Sequence, residues 1–258
     1  MIAQVTKIFK YRELLLNLII KDLKVRYRGA VLGYLWSLLN PILMMLVYTF
    51  IFSFIARMEV ENYPSFLLCA LLPWSFFATT LTASSTSIVE NFNLINKVYF
   101  PREIFPISVI FSNLTYLIIS MMILIFFLSF TGIRIGLPVL ILPVVILVHV
   151  VFTIGISLIL SSLTVFYRDL KYILEVVVMV WFFATPVIYP LSMVPENFKA
   201  FYILNPMVGI ISAYRSILLY DELPAFSTFS AIFVISLTAF FIGHYVFKKY
   251  DYSIPKML

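Results

Sequence analysis

The chain has 258 residues, of which 63% are hydrophobic and only 12% are charged, and its mean hydropathy is +1.06. A soluble globule of this length could not cover its surface with so few charges, so the composition predicts an integral membrane protein. The net charge of +6 comes from basic residues beside apolar stretches, where membrane topology explains them, and we expect no nucleic-acid partner. The single cysteine, Cys69, excludes an intrachain disulfide and a cysteine-based metal cluster.

Residues 1–28 combine apolar positions with one polar stripe, and we predict an amphipathic helix that lies in the cytoplasmic interface of the membrane. The stripe recurs at spacings of three or four residues, at Glu13, Asn17, Lys21, Lys24 and Arg28. Leucine and isoleucine cover the rest of the helix. The alternative is a segment that serves only as a topological anchor.

Six charge-free stretches are long enough to cross a bilayer, which takes about 20 residues of helix. A charge at mid-bilayer costs about 2.5–3.5 kcal/mol, so stretches without charge locate the spans. The predicted spans are residues 29–56, 62–89, 104–130, 138–166, 173–192 and 223–247. Residues 1–258 would then form a single all-α membrane domain.

The loop at residues 90–103, between the second and third predicted spans, mixes asparagine and charged residues with aromatic side chains. A stretch that starts near Glu90 and stops at Pro101 would present aromatic side chains inside a charged rim, the composition of a docking surface. The aromatic residues concerned are Phe92, Tyr99 and Phe100. The alternative is a helix-extended turn, because short cytoplasmic loops are generally basic.

A cluster of charged residues lies in the loop before the fifth span and at the mouth of that span: Arg168, Asp169, Lys171 and Glu175. One interpretation is a local ion-pair network that fixes the loop. The other is a basic ring that binds an anionic headgroup at the cytoplasmic entrance. This ring would consist of Arg26, Arg28, Arg168 and Lys171. Both interpretations can hold together.

Residues 193–222 contain an apolar run, 200–214, that is too short to cross the membrane. Asn205, Pro206 and Gly209 interrupt it. We therefore predict a pair of short helices that enters the membrane from the outer side and leaves on the same side. Such a re-entrant pair is tolerated only where protein or a wet cavity buries it.

Basic residues predict the orientation by the positive-inside rule. With six spans, only four of the 18 lysine and arginine residues fall on the outer side: Arg57, Arg134, Lys199 and Arg215. We therefore expect both ends of the chain in the cytoplasm, including the tail at residues 248–258.

No phosphate-binding, dinucleotide-binding, zinc-protease or serine-hydrolase motif occurs in the sequence. His149 and His244 lie in different spans without neighbouring carboxylates, so we predict no catalytic residue and no metal site. The scarcity of ionisable residues within the spans argues against an ion-coupled secondary transporter. A non-transporting scaffold and a lipid-processing enzyme remain alternatives.

Residues 21–44, KDLKVRYRGAVLGYLWSLLNPILM, resemble the membrane subunit of type-2 ABC exporters for polysaccharides, the O-antigen, capsule and teichoic acid group. The resemblance continues in the family's order and spacing over nearly the whole chain. It is carried further by the segments NLINKVYFPREIFP, SSLTVFYRDLKYIL, TPVIYPLSMVPENF and LNPMVGIISAYRSILL.

The resemblance implies a homodimer of this chain with two copies of a separate ATPase, in the bacterial inner membrane. The ATPase would bind ATP and Mg, so this chain would be the permease and not an enzyme. The substrate would be a polysaccharide on a polyprenyl diphosphate, foremost an O-antigen precursor. Capsule or teichoic acid export is the alternative, and a drug or lipid exporter ranks below both.

The resemblance also implies roles for particular residues. The loop at 90–103 would couple to the ATPase through Glu90, Asn91, Phe92, Asn96, Lys97, Tyr99, Phe100, Pro101 and Arg102. A gate at the cytoplasmic entrance would meet the diphosphate headgroup through Arg26, Tyr27, Arg28, Arg168 and Lys171.

Aromatic side chains would line the channel, because sugar C–H faces pack on aromatic rings without any single strong hydrogen bond that would hold the polymer. The candidates are Tyr34, Trp36, Trp74, Phe76, Phe77, Trp181, Phe182, Phe183 and Tyr189. For each of them, packing against membrane lipids or in an interfacial belt is the alternative.

Overall fold

The computed structural model describes residues 10–26, 36–95, 97 and 100–252, apart from the side chains of residues 26, 37, 38 and 200. Every regular element in this part is a helix. We number the helices α1 Arg12–Arg26, α2 Trp36–Thr49, α3 Tyr63–Glu90, α4 Phe92–Ile95, α5 Ile104–Phe130, α6 Leu142–Phe166, α7 Leu170–Phe183, α8 Glu196–Leu204, α9 Pro206–Leu218 and α10 Phe226–Asp251. A π-helical turn, Phe50–Ile55, extends α2, and 3₁₀ turns occupy Leu137–Ile141 and Leu191–Met193.

Four of the described helices are long and apolar enough to cross a membrane: α3, α5, α6 with its preceding turn, and α10. α5 has the predicted bounds, α3 agrees with its predicted span to within one residue at each end, and α6 does so when the 3₁₀ turn Leu137–Ile141 before it is included. α10 begins at Phe226 and continues to Asp251, beyond the predicted end at residue 247. The prediction of an all-helical integral membrane protein is confirmed.

The other two predicted spans are shorter helices. α2 and its π-helical turn cover residues 36–55 of the predicted span 29–56, whose first residues lie outside the described part. α7 ends at Phe183 and not at residue 192, because Pro186 has no backbone N–H and disfavours helical backbone before it. A helix of α7's length rises only about 21 Å, less than the thickness of a bilayer core.

The segment predicted as a re-entrant pair contains the two short helices α8 and α9, which meet at an angle of 93°. Asn205 lies at the break, and its side-chain oxygen accepts a hydrogen bond from the Met207 backbone N–H at 3.1 Å. This bond caps the first turn of α9, and Pro206 occupies the first helical position, where its missing N–H does no harm. The predicted pair of short helices is present, and its entry into the membrane stays a prediction.

α3 is the central helix of the bundle and packs against α2, α5, α6, α7 and α9. Within its most apolar stretch, 72% of the residues are buried, as expected of a helix surrounded by other helices. α6 and α10 lie closest together, because Gly155 and Gly243 face each other. A Cβ atom on Gly243 would overlap the carbonyl group of Gly155.

α1 packs along α5, with Leu18 buried beside Ile104 and Phe105. The predicted polar stripe lies on the exposed side of α1 at each position whose side chain is described: Glu13, Asn17, Lys21 and Lys24. Apolar side chains are exposed beside the stripe, namely Leu16, Ile20 and Val25. This mixture suits a helix at a membrane surface.

The backbone that follows α7 leaves the helix, so its carbonyl oxygens have no partners within a helix. Side chains from other parts of the chain satisfy them. Asn205 Nδ2 donates to the Ala184 oxygen at 3.1 Å, and the Tyr63 hydroxyl donates to the Ile188 oxygen at 2.8 Å. Together with Arg215, these two residues form what we call the carbonyl clamp.

Arg215 makes most of the contacts of the carbonyl clamp. Its guanidinium donates to the carbonyl oxygens of Pro186 at 2.6 Å and Val187 at 2.7 Å, while Nε donates to the Phe66 oxygen at 3.3 Å. Its Cζ also lies 3.5 Å from the centre of the Phe66 ring. Arg215 is only 6% exposed, so it joins α3, α9 and the end of α7 and is not the outer-surface charge that the sequence suggested.

Replacement of Arg215 by methionine should destabilise the protein, because the carbonyl oxygens of Pro186 and Val187 would stay buried without donors. Each unsatisfied buried group costs about 1–3 kcal/mol, so we expect a loss of at least about 2 kcal/mol. Thermal unfolding of the purified protein in detergent measures this. The control is Lys199→Met, since the only ion pair of Lys199 within the described residues is with the neighbouring Glu196. Equal melting temperatures for the two variants would contradict the role of the clamp.

Candidate functional site

A cavity of about 640 Å³ lies between α2, α3, α5 and α7. Pockets of this size hold small ligands or parts of larger ones. Trp36 and Asn40 on α2, Thr79 on α3 and Phe183 on α7 line it and are exposed in the single chain. The cavity is therefore open along the face that these helices share.

Aromatic rings form one wall of this cavity. Phe182 lies between two other rings: its centre is 5.6 Å from the Trp74 ring and 6.1 Å from the Tyr48 ring, which it stacks against. Tyr116 lines the wall on α5. Such rings offer flat apolar faces together with hydroxyl groups at their edges, a combination that suits carbohydrate.

Polar side chains line the cavity as well, among apolar ones such as Met44, Leu117 and Val178: Asn40, Ser75, Thr79, Asn113, Ser120 and Glu175. Glu175 and Thr79 are exposed in the single chain although both lie on apolar helices. Exposure of such groups to lipid is costly, and polar side chains within membrane helices usually face protein or a water-filled space. Such exposed polar groups are typical of a face that contacts protein or water.

Seven of the nine predicted aromatic residues fall into two groups. Those that line the cavity are Trp36, Trp74, Phe76, Phe182 and Phe183. Phe77 and Trp181 pack inside the bundle instead, with their ring centres 5.1 Å apart, and Phe77 also stacks on Phe152 at 5.6 Å. Trp181 Nε1 donates to the Asn205 side chain at 2.9 Å, which connects it to the carbonyl clamp.

The remaining two aromatic candidates lie elsewhere. The Tyr189 hydroxyl donates to the Phe183 carbonyl oxygen at 2.6 Å and lies 2.7 Å from the Tyr202 hydroxyl, so Tyr189 fixes the backbone after α7. Tyr34 lies outside the described residues. Tyr48, Tyr116 and the polar side chains of the cavity wall were not predicted from the sequence. A signal for part of that wall was present, because hydroxyl residues recur along one side of α3.

A groove of about 440 Å³ continues from the cavity between α3 and α7. It shares Ala78, Thr79 and Glu175 with the cavity and reaches Thr86 and Lys171. These last residues lie near the end of α3 and the start of α7. Cavity and groove therefore form one path along α3 toward the end of the bundle that holds the loop at 90–103, which we call the charged end.

At the charged end, Phe100 does not lie on a docking surface as expected. It is 5% exposed and packs edge-to-face on Phe105, with the ring centres 5.4 Å apart. Its cluster includes Leu18, Ile88 and Phe247, from α1, α3 and α10. The physical reason is that burial of an aromatic ring in the core, removed from water, lowers the free energy of the folded protein more than exposure in the loop would.

Polar contacts tie the loop at 90–103 to the rest of the charged end. Lys21 Nζ on α1 donates to the Asn91 side-chain oxygen at 3.1 Å. Arg102 donates to both the carbonyl and carboxylate oxygens of Asp251, at 2.6 and 2.7 Å, at the end of α10. Movement of the loop would therefore be transmitted to α1 and α10.

The other predicted coupling residues vary in exposure. Glu90 and Lys97 are exposed, whereas Asn91, Phe92, Pro101 and Arg102 are half-buried. Asn96 and Tyr99 lie outside the described residues. Their role in coupling stays a prediction.

The predicted gate residues are described only in part. Arg168 is exposed at the start of α7, and Lys171 Nζ lies 4.6 Å from the centre of the Tyr172 ring. Within the described residues, no ion pair links the charges of this loop to one another, which does not support the alternative of a local network. Tyr27, Arg28 and the Arg26 side chain lie outside the described part, so the basic ring stays a prediction.

A bundle of apolar helices with an open polar and aromatic path along its central helix defines a helical membrane protein built for transport. Comparison with known proteins gives the family. The sequence pattern of the ABC-2 type transporter family matches residues 13–219, and the chain belongs to this family.

The chain is similar over nearly its whole length to proteins named as export permeases. It is 35% identical over 251 residues to the O-antigen export system permease protein RfbA of Myxococcus xanthus, with 96% of each chain covered. It is 34% identical over 247 residues to the protein of the same name from Klebsiella pneumoniae, with 95% of each covered. The polysialic acid transport protein KpsM of Escherichia coli is 22% identical over 233 residues, 88% of this chain and 89% of KpsM.

Replacement of Phe100 by alanine should destabilise the folded protein by about 3–5 kcal/mol, as expected for a fully buried ring. Phe92→Ala is the matched control in the same loop, because Phe92 is only half-buried and belongs to neither buried cluster. Thermal unfolding in detergent compares the two. If Phe92→Ala proved the more destabilising change, the buried position of Phe100 would be refuted.

Proposed function

We propose that this chain is the channel-forming permease of an ATP-driven exporter that moves a polyprenyl-diphosphate-linked polysaccharide of the O-antigen class out of the cytoplasm. The observation that carries the proposal is the open path along α3, with an aromatic wall and a polar wall. A polymer of sugars has both apolar C–H faces and hydroxyl groups, so it can contact both walls. The full-length similarity to RfbA proteins supports the same assignment.

The energy source is a separate ATPase subunit in two copies, because this chain has no phosphate-binding motif and the family is that of ABC transporters. ATP and Mg would bind there. We place the ATPase at the charged end, where the exposed Glu90 and Lys97 flank the short helix α4. The contacts of Asn91 with Lys21 and of Arg102 with Asp251 would carry its movement into α1 and α10.

A second copy of this chain would close the open path into a channel. Asn40, Thr79 and Glu175 need a polar or aqueous neighbour, and a symmetric partner would supply the same polar face. In the homodimer, the exposed faces of α2 and α7 would meet their counterparts across the channel.

The topology that fits this function has six spans in the bacterial inner membrane, with both ends in the cytoplasm. α2 would be the first span and α7 the fifth. The backbone held by the carbonyl clamp would continue the fifth span toward the outer surface. α8 and α9 would dip into the membrane from that surface, with α9 packed against α3 and α10. The charged end would face the cytoplasm, where Arg26, Tyr27, Arg28, Arg168 and Lys171 would meet the diphosphate headgroup.

Capsular polysaccharide is the second candidate substrate, supported by the weaker similarity to the polysialic acid transport protein KpsM. Teichoic acid would be handled by the same chemistry. Stimulation of ATPase activity in the reconstituted exporter distinguishes these substrates from lipids or drugs, because only the lipid-linked glycan should raise the rate.

The double variant Trp36→Ala with Phe183→Ala should lower export of the cell's lipid-linked glycan severalfold while the amount of protein in the membrane stays unchanged, because it removes two rings that line the cavity but are exposed and lie outside the buried core. Export is measured as the amount of glycan on the surface of cells in which the variant gene replaces the chromosomal gene for this chain. Phe126→Ala is the control, since Phe126 is 65% exposed on α5 and lines neither cavity nor groove. Export at the parent rate in the double variant would count against the proposed path.

A further inference from the structure

Hydroxyl side chains recur on one side of α3 at spacings of four, three and four residues. They are Ser75, Thr79, Thr82 and Thr86, and we call them the hydroxyl stripe. Ser75 and Thr79 line the cavity, and Thr79, Thr82 and Thr86 line the groove. Neighbouring members of such a stripe are about 5–6 Å apart at Cβ, a distance similar to the length of one sugar unit in a chain.

The threonines of the stripe donate their protons within α3. Thr79 Oγ1 donates to the Ser75 carbonyl oxygen at 2.6 Å, and Thr82 Oγ1 donates to the Ala78 carbonyl oxygen at 3.0 Å. Thr86 Oγ1 donates to the Glu90 carboxylate at 2.7 Å. A hydroxyl whose proton is engaged still has lone pairs, so the stripe presents a row of acceptors toward the path.

Asn113 on α5 supplies a donor in the wall of the cavity. It lines the cavity although it is only 2% exposed, and its side-chain nitrogen has no hydrogen-bond partner among the described residues. A buried amide without a partner is destabilising, and native proteins usually satisfy such groups. This amide therefore indicates a ligand with an acceptor oxygen in the cavity.

Charged groups are scarce along the path. Among the described residues that line the cavity and groove, only Lys171 and Glu175 carry charge, and they have opposite signs. A polyanionic chain would find no excess of positive charge here, whereas uncharged sugar units would find hydroxyl and amide partners.

We propose that the hydroxyl stripe and Asn113 form a track that holds uncharged sugar units of the glycan during export. Sugar hydroxyls donate to the threonine oxygens, and Asn113 donates to a sugar oxygen. The regular spacing lets each sugar unit exchange one acceptor for the next while its other face lies toward the aromatic wall. This proposal rests on the proposed function and specifies the ligand chemistry of the path.

Thiol labelling in intact cells tests the track directly. The chain has one cysteine, Cys69, which is fully buried, so a cysteine introduced elsewhere can be labelled selectively. Single variants Thr79→Cys, Thr82→Cys and Thr86→Cys are treated with a small hydrophilic thiol reagent, in cells that make the glycan and in cells that cannot. Thr238→Cys on α10 is the control, because Thr238 is exposed and lines neither cavity nor groove.

We expect labelling at the three stripe positions in cells without glycan and at least threefold slower labelling when glycan is in transit, with no such difference at Thr238. Equal labelling with and without glycan would overturn the track. So would the absence of hydrophilic labelling in both strains, since it would indicate that lipid tails fill the groove.

Valine variants test the chemistry of the stripe, because valine has the shape of threonine without its acceptor. Thr82→Val should slow export about two- to tenfold, the effect of one neutral hydrogen bond, Thr82→Ser should restore most of the lost rate, and Thr238→Val keeps the parent rate. A parent rate in Thr82→Val would contradict the proposal. If deletion of the whole chain left surface glycan intact, the proposed function itself would fail; if deletion abolished surface glycan but the stripe variants behaved as parent, only the track would fail.

Discussion

The backbone of a membrane protein must satisfy its own hydrogen bonds, and this fold depends on how it does so where α7 ends. Four carbonyl oxygens after α7 accept hydrogen bonds from the carbonyl clamp, Tyr63, Asn205 and Arg215. The clamp brings together α3, α9 and the end of α7. Because Phe182 and Phe183 lie in the last turn of α7, the same contacts hold the aromatic wall of the cavity in place.

The same constraint explains the polar wall. Hydroxyl groups on α3 donate to oxygens of their own helix, so they can line a path without any permanent partner. Among the described residues, the Asn113 side-chain nitrogen has no hydrogen-bond partner, and Glu175 is exposed on the cavity wall, so both suit a path that holds water or ligand. Aromatic faces on one side and weak polar contacts on the other allow a glycan to be held and still to move. In the proposed exporter, the contacts of Asn91 with Lys21 and of Arg102 with Asp251 would connect this path to an ATPase at the charged end.

Charge-free runs predicted the long helices well, since the cost of a buried charge applies to every residue in a span: α5 has the predicted bounds. Local sequence could not show which side chains meet across the chain. The sequence analysis counts Arg215 among the charges on the outer side. Its burial could not be predicted, because its hydrogen bond to the Phe66 carbonyl joins residues that are 149 positions apart. Phe77 and Trp181 look like channel residues for the same reason, although they pack against each other. The recurrence of hydroxyls along α3 was visible in the sequence, but only the cavity shows that it faces a path.

The most direct test of the central claim is a structure of the complete exporter stalled with its glycan in transit, using an ATPase subunit that binds ATP without hydrolysing it. If the glycan follows the proposed path, we expect density for sugar rings along α3, between the Phe182 ring and Thr79, enclosed by two copies of this chain. Lipid tails in this cavity, with the glycan passing along another surface, would contradict it.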